Sequence, residues 1–224
     1  MAAAVTARAA GHSVSVWEAA RNWGGRARAL DLALPDGRAV RLDNGQHILI
    51  GAYADCLRLM RQVGLDPEQV LLRLPLELRF PDGRGIGLPR WPAPFDALAG
   101  ILGARGWRWA DKRALAGAAL RWRLAGFRCP ADRSVTQLCR GLTPRVMAEL
   151  IEPLCVSALN TPPADSSGQV FLRVVRDALF GAHLGSNLLL PRADLSALFP
   201  DAAARWLSDR GADLRLGERV RQLG

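Results

Sequence analysis

Apolar and polar positions along this chain change period several times, and each change predicts an element. Residues 2–9 are alanine-rich and favour a helix, and Gly11 stands where a helix-terminating glycine belongs. Ser13 to Trp17 reads as a short strand that ends on an acid, Glu18, and residues 21–28 form a glycine-containing loop. Residues 28–42 predict two strands around the turn Pro35-Asp36-Gly37. Tyr53 to Val63 reads as a helix, with Leu57, Met60 and Val63 on one face and arginines elsewhere.

Further along, Leu71 to Phe80 and Gly85 to Leu88 predict a hairpin turned by Pro81-Asp82-Gly83. The pattern is helical from Phe95 to Phe127 and again over 134–141, 144–159 and 166–180. Leu188 to Leu190 reads as a strand, 194–209 as a helix, and 213–222 as a closing pair of short strands. There is no internal repeat and no low-complexity linker. Mixed elements at both ends of a helical middle predict an α/β fold, a mixed α+β arrangement in which a discontinuous nucleotide-binding domain carries a helical insertion. The expected boundaries are 1–70, 71–187 and 188–224.

Composition narrows the classes. With 224 residues the chain can bury a sizeable core, and 50% hydrophobic residues argue against disorder. A net charge of +9 raises the question of a nucleic-acid partner. The basic residues are dispersed, and Lys112 is the only lysine among them, as an arginine-rich coding bias produces; no nucleic acid is expected. Cys56, Cys129, Cys139 and Cys155 have no metal-ligand spacing, so neither a metal site nor a disulfide scaffold is expected, and a reducing, cytoplasmic compartment is. Residues 1–10 lack a basic n-region, and no window is long and apolar enough to span a bilayer.

Glu18 is the first candidate for nucleotide chemistry. In a dinucleotide-binding βαβ unit, a glycine turn lets backbone N–H groups approach the pyrophosphate, and an acid ending the second strand holds the ribose hydroxyls about 20 residues later. Counting back that far from Glu18 passes Met1, so the glycine turn and first strand are expected to be missing, with Met1 near the start of the first helix. The spacing of Gly83, Gly85 and Gly87 is followed by Pro89 and reads as a hairpin turn. Directly after Glu18 comes Gly24-Gly25-Arg26-Ala27-Arg28, where paired glycines permit close backbone approach and a guanidinium offers charge-assisted bonds to phosphate.

Strand, Glu18, loop and GGRAR together resemble the amine-oxidase and phytoene-desaturase superfamily. The resemblance implies a partial FAD/NAD(P)-binding Rossmann-like domain with an inserted, largely helical substrate domain, and FAD as cofactor. It places Glu18 on the adenosine ribose, and Gly24, Gly25 and Arg26 along the pyrophosphate and flavin. The run Leu42-Asp43-Asn44-Gly45-Gln46-His47-Ile48-Leu49-Ile50-Gly51-Ala52-Tyr53 is similar to the signature of the hydroxysqualene dehydroxylases, also called squalene-associated FAD-dependent desaturases. By that likeness Gly45 packs beside the flavin ring, and Gln46, His47 and Asp43 are catalytic candidates. Asp43 reads equally well as a loop-fixing residue.

Three further stretches carry the likeness: Pro153 to Pro163, Leu188-Leu189-Leu190-Pro191-Arg192 with Asp194-Leu195-Ser196, and Gly211 to Val220. In the last, Val220 stands where relatives contact adenine through a valine backbone. The family's carboxy-terminal flavin-binding segment is expected beyond Gly224.

What the resemblance implies is reductive dehydroxylation of hydroxysqualene, a C30 isoprenoid lipid, to squalene in squalene and hopanoid biosynthesis. The alternatives are a carotenoid-type desaturase or amine oxidase, and a basic membrane-associated module or inactive fragment. No carboxylate stands out as the general acid. Trp91, Trp107, Trp109 and Trp122 cluster among apolar residues, and the three- and four-residue spacing of Arg105, Arg108 and Lys112 predicts a basic helical stripe. By residue pattern alone this reads either as a packed helix with a solvated charged face or as a membrane-surface helix; with a bilayer-resident substrate, the resemblance implies peripheral contact with the inner face of the cytoplasmic membrane.

Overall fold

The computed structural model describes residues 1–45, 47–181 and 184–222. In chain order it begins with α1 (Ala2–Ala9), β1 (Ser15–Glu18), β2 (Ala29–Ala33), β3 (Ala39–Asp43) and β4 (Leu49–Ile50). Next come α2 (Ala54–Gln62), α3 (Pro67–Val70), β5 (Leu71–Leu74), β6 (Glu77–Arg79) and β7 (Gly85–Gly87). The helical middle comprises α4 (Phe95–Gly103), α5 (Trp109–Leu124), α6 (Val135–Leu138), α7 (Pro144–Val146), a π-turn at Met147–Ile151, α8 (Glu152–Leu159) and α9 (Gly168–Leu179). The last elements are β8 (Leu188–Pro191), α10 (Leu195–Leu198), α11 (Pro200–Ser208) and β9 (Asp213–Leu216).

Two compact units result. The first comprises residues 1–49, 53–73 and 189–224, and the second residues 50–52 and 74–188. In the first unit β1 and β9 pair in parallel, with Ser15 opposite Asp213 and Glu18 opposite Leu216. Each strand is preceded by a helix, and α1 and α11 seal the pair with the buried side chains Val5, Ala203 and Leu207. The alanine run forms α1 because alanine loses least on entering a helix. Its end is fixed by Gly11 at φ +88°, where the Gly11 and His12 N–H groups donate back to Arg8 and Ala7 carbonyls at 3.0 and 3.1 Å. The hairpin β2–β3 turns at Pro35-Asp36-Gly37, with Ala29 opposite Asp43. A separate core gathers Leu57, Met60, Leu71, Leu189, Leu195 and Leu198; Leu57 and Met60 reach it from one face of α2, as their spacing dictates.

The second unit is built on one core in which Phe171, Ile151, Leu172, Val135, Val146 and Cys155 are fully buried. The π-turn at Met147–Ile151 precedes Pro153, which has no N–H to offer the Glu149 carbonyl, so a locally widened turn accommodates the imino acid. Its widened backbone carries Glu149 inward. There Glu149 Oε2 accepts from Trp107 Nε1 at 2.7 Å and Oε1 from Arg84 Nη1 at 3.1 Å. Burial pushes the Cys139 thiol up to about 12, with a smaller push from neighbouring Cys155. Among the described residues no helix is long and apolar enough to cross a membrane.

Three expectations are corrected. The hairpin strand starts at Glu77 rather than Leu71: Leu71–Leu74 joins a sheet of order β4-β8-β5, and Pro75 separates it from β6. The helical run 95–127 is broken at Ala104–Arg108, where Arg105 forms a two-way backbone bridge to Gly85 with bonds of 2.8 and 3.1 Å. Arg105 therefore lies outside any helix, Arg108 is the N-cap of α5, and the basic stripe does not form. Finally, only Asp213–Leu216 of the predicted closing pair is a strand; Gly217 turns the chain at φ +76°, and 218–222 has no regular structure.

Candidate cofactor-binding site

The glycine–arginine loop at residues 24–28 follows β1 and is held by hydrogen bonds rather than regular structure. Gly24 has φ +104°, and a Cβ there would meet the Ala27 carbonyl oxygen at 2.6 Å and Pro200 Cγ at 3.0 Å. Only glycine fits. Beside it, Gly25 has φ +60° and open space where a Cβ would stand, so its backbone face is bare.

The second motif lies against the first. Asn44 donates from its backbone to the Arg28 carbonyl at 2.9 Å and from Nδ2 to the Arg26 carbonyl at 3.2 Å. One residue, through its backbone and its side chain, thereby stitches the GGRAR loop to the Asp43-Asn44-Gly45 turn. Asp43 Oδ1 accepts the Leu195 N–H at 2.8 Å, and the Ser196 hydroxyl accepts the Ala29 N–H at 2.9 Å. Two distant segments are so pinned to the first turn of α10. Its N-cap, Asp194, accepts from the Ala197 N–H at 3.0 Å and from Arg41 Nε at 3.1 Å. Burial pushes the Asp194 carboxyl up, but the Ala197 N–H, the Arg41 guanidinium and the Ser196 N–H outweigh it and hold the group below the usual carboxylate range.

Gly45 continues the turn at φ +106°, and His47 is exposed, its Nδ1 lying 3.4 Å from the Gly45 carbonyl oxygen. Gln46 lies outside the described residues. Glu18 ends β1 half-buried and accepts the Ala20 N–H on Oε1 at 2.8 Å, while its carbonyl accepts the Glu218 N–H at 3.1 Å. Val220 follows two residues later, exposed and beyond the end of β9. The two Asn44 bonds thus bring the segment of Gly24, Gly25 and Arg26 against the turn of Asp43 and Gly45; Glu18 and the chain leading to Val220 form a second group at the end of the parallel pair.

Sequence reasoning passed over Arg28. Its Nε is buried with no hydrogen-bond partner among the described residues, an arrangement that disfavours the empty loop and suits an incoming acceptor. Arg26 is exposed and enters no ion pair among the described residues. Two guanidiniums and the bare backbone face of Gly25 fit a phosphate-bearing cofactor. The alternation of arginines in GGRAR marks Arg28 as a candidate, but its burial is a tertiary property.

The whole chain, residues 1–224, matches the family model described as flavin containing amine oxidoreductase. The protein belongs to this family of flavin-containing amine oxidoreductases. Within it, the chain is 29% identical over 237 aligned positions to a hydroxysqualene dehydroxylase of Sinorhizobium fredii, covering 100% of this chain and 52% of that protein. Hydroxysqualene dehydroxylases of Rhodopseudomonas palustris and Zymomonas mobilis are 28% and 26% identical, again over 100% of this chain and 51% and 52% of theirs. The chain spans about half the length of the curated relatives it matches. In fold it is similar to an oxidoreductase from Methanosarcina mazei, with a TM-score of 0.63 and 16% identity over 96% of this chain and 48% of that one.

Proposed function

We propose that this chain is the FAD-binding and substrate-facing portion of a hydroxysqualene dehydroxylase, acting on a C30 isoprenoid alcohol in squalene and hopanoid biosynthesis. The observation that carries the reading is the Asn44 stitch, which unites the GGRAR loop with the dehydroxylase-like turn in one group. The likeness of the whole chain to three hydroxysqualene dehydroxylases supports the substrate class.

In this reading the first unit holds FAD and the helical second unit faces the lipid. Glu18 binds the adenosine ribose, and Val220 contributes backbone contact to adenine. Gly24, Gly25, Arg26 and Arg28 would hold the pyrophosphate, with Gly45 and His47 on the flavin side. When bound in its reduced form, the flavin supplies the hydride that replaces the allylic hydroxyl, which leaves as water after protonation. Asp43 anchors the turn through Leu195.

Adding FAD to the purified chain and then hydroxysqualene with a chemical reductant tests this. A yellow protein that forms squalene is the expected result. A protein that stays colourless with FAD, or a yellow one that oxidises amines or polyenes and leaves hydroxysqualene untouched, overturns it.

A further inference from the structure

We propose that α4 and the outer face of α5 form a docking surface for an anionic lipid bilayer. This goes beyond the functional reading, because it rests on the second unit's surface and not on the cofactor.

The inner face of α4 buries Asp96, Gly100 and Ile101, whereas Phe95, Leu98 and Leu102 recur at helical spacing on the other side. These three are 60%, 49% and 50% exposed. On α5, Trp109, Leu120 and Leu124 share one face by the same periodicity and are 67%, 58% and 78% exposed, while Leu115, Ala118 and Trp122 point inward. Single exposed leucines are ordinary, but two adjacent helices that each present large apolar side chains on one face, interrupted on α5 by the exposed Arg113, are not.

Lys112 joins the stripes. Its Nζ donates to the Leu102 carbonyl at 2.6 Å and lies 5.4 Å from the Trp109 ring centroid, bringing the C-terminal end of α4 against the first turn of α5. An indole beside an ammonium on an apolar stem is the pairing that settles at headgroup depth.

Charge selects the occupant. Between Arg90 and Arg128 the chain has eight basic residues and two acids, Asp96 and Asp111. Both acids are buried, at 5% and 6% exposure, so the exposed charge that this segment itself contributes is positive. A second copy of this face would set arginine against arginine. An anionic bilayer accepts the apolar side chains and neutralises the rim together.

Flotation of the purified chain with vesicles tests the proposal, using phosphatidylcholine alone and an equal mixture with phosphatidylglycerol at low and high salt. Binding to the anionic vesicles is expected to be at least tenfold tighter and to weaken with salt. The double substitution Phe95→Glu/Leu98→Glu should abolish that preference, and Leu32→Glu, at a 47% exposed leucine of the first unit, should leave it intact. Brominated acyl chains should quench tryptophan emission less in Trp109→Phe than in the parent. Equal affinity for both vesicles, no binding to either, or a dimer in sedimentation that Leu98→Glu dissociates overturns the proposal. Flavin content read on the same samples separates the two readings, since a colourless protein that still binds anionic vesicles sinks only the enzymatic one.

Discussion

Asp43 accepts the backbone N–H of Leu195 at 2.8 Å, so the carboxylate that ends β3 also holds the first turn of α10. A side chain that the sequence offers equally for catalysis or for loop fixing is, in the fold, engaged in fixing. Asp43→Ala leaves the Leu195 N–H unpaired and should cost about 1 kcal/mol, lowering Tm by roughly 3 °C. Asp43→Asn keeps an acceptor and should recover most of the loss. A thermal melt of the three proteins checks this, and unchanged melting in Asp43→Ala would contradict the anchoring role.

Glu149 is the hub of the second unit's polar interior, its side chain only 11% exposed. Glu149→Ala strands the Trp107 indole N–H and removes a partner of Arg84, which is half in water and can rehydrate. The expected cost is about 2 kcal/mol, with a Tm fall of roughly 6 °C and a shift in tryptophan emission. In a double-mutant cycle with Trp107→Phe the effects should be non-additive; additive effects would show that the pair does not interact.

Local chemistry made much of this fold legible, and long-range pairing supplied what was not. The helix over 2–9 with Gly11 behind it, the Pro35-Asp36-Gly37 hairpin and the strand ending on Glu18 are written in propensity and turn residues close at hand. The break in the helical run at Ala104–Arg108 depends on Arg105 bridging to Gly85, and Leu71–Leu74 on a sheet partner, β8, far along the chain. Periodicity carries neither. The site divides similarly. GGRAR announces phosphate chemistry by residue type, but the Asn44 stitch and the buried, unpartnered Arg28 Nε arise only when distant backbone closes around them.

Asp111 makes a pH prediction. The Thr143 hydroxyl donates to its Oδ1 at 2.6 Å and the Arg108 N–H to its Oδ2 at 2.8 Å, and these bonds, with lesser help from Arg145 and Arg108, outweigh burial and hold the carboxyl below its ordinary 3.8. A depressed folded value means the contribution is complete above the unfolded pKa and is lost as pH falls through the folded one. The parent should therefore outlast Asp111→Asn at neutral pH, and the gap in Tm should close as pH drops from roughly 5 to 2. A gap that stays constant across that window would remove Asp111 from the acid limb.

Arg28 and Gly24 separate cofactor binding from folding. Because Arg28 Nε has no partner among the described residues, Arg28→Met removes a buried polar group without breaking a bond to that atom, and the apo protein should melt at or slightly above the parent temperature. The same change deletes a charge-assisted donor to phosphate, so FAD affinity should fall roughly 10- to 100-fold. Gly24→Ala should lower both, since its Cβ would lie 2.6 Å from the Ala27 oxygen at φ +104°, whereas Gly25→Ala meets no atom and should cost only about 1 kcal/mol of backbone strain. Flavin titration with paired apo-protein melts resolves the four cases. If Arg28→Met binds FAD as tightly as the parent, Arg28 does not face the cofactor, and the phosphate contacts fall to Arg26 and the diglycine backbone.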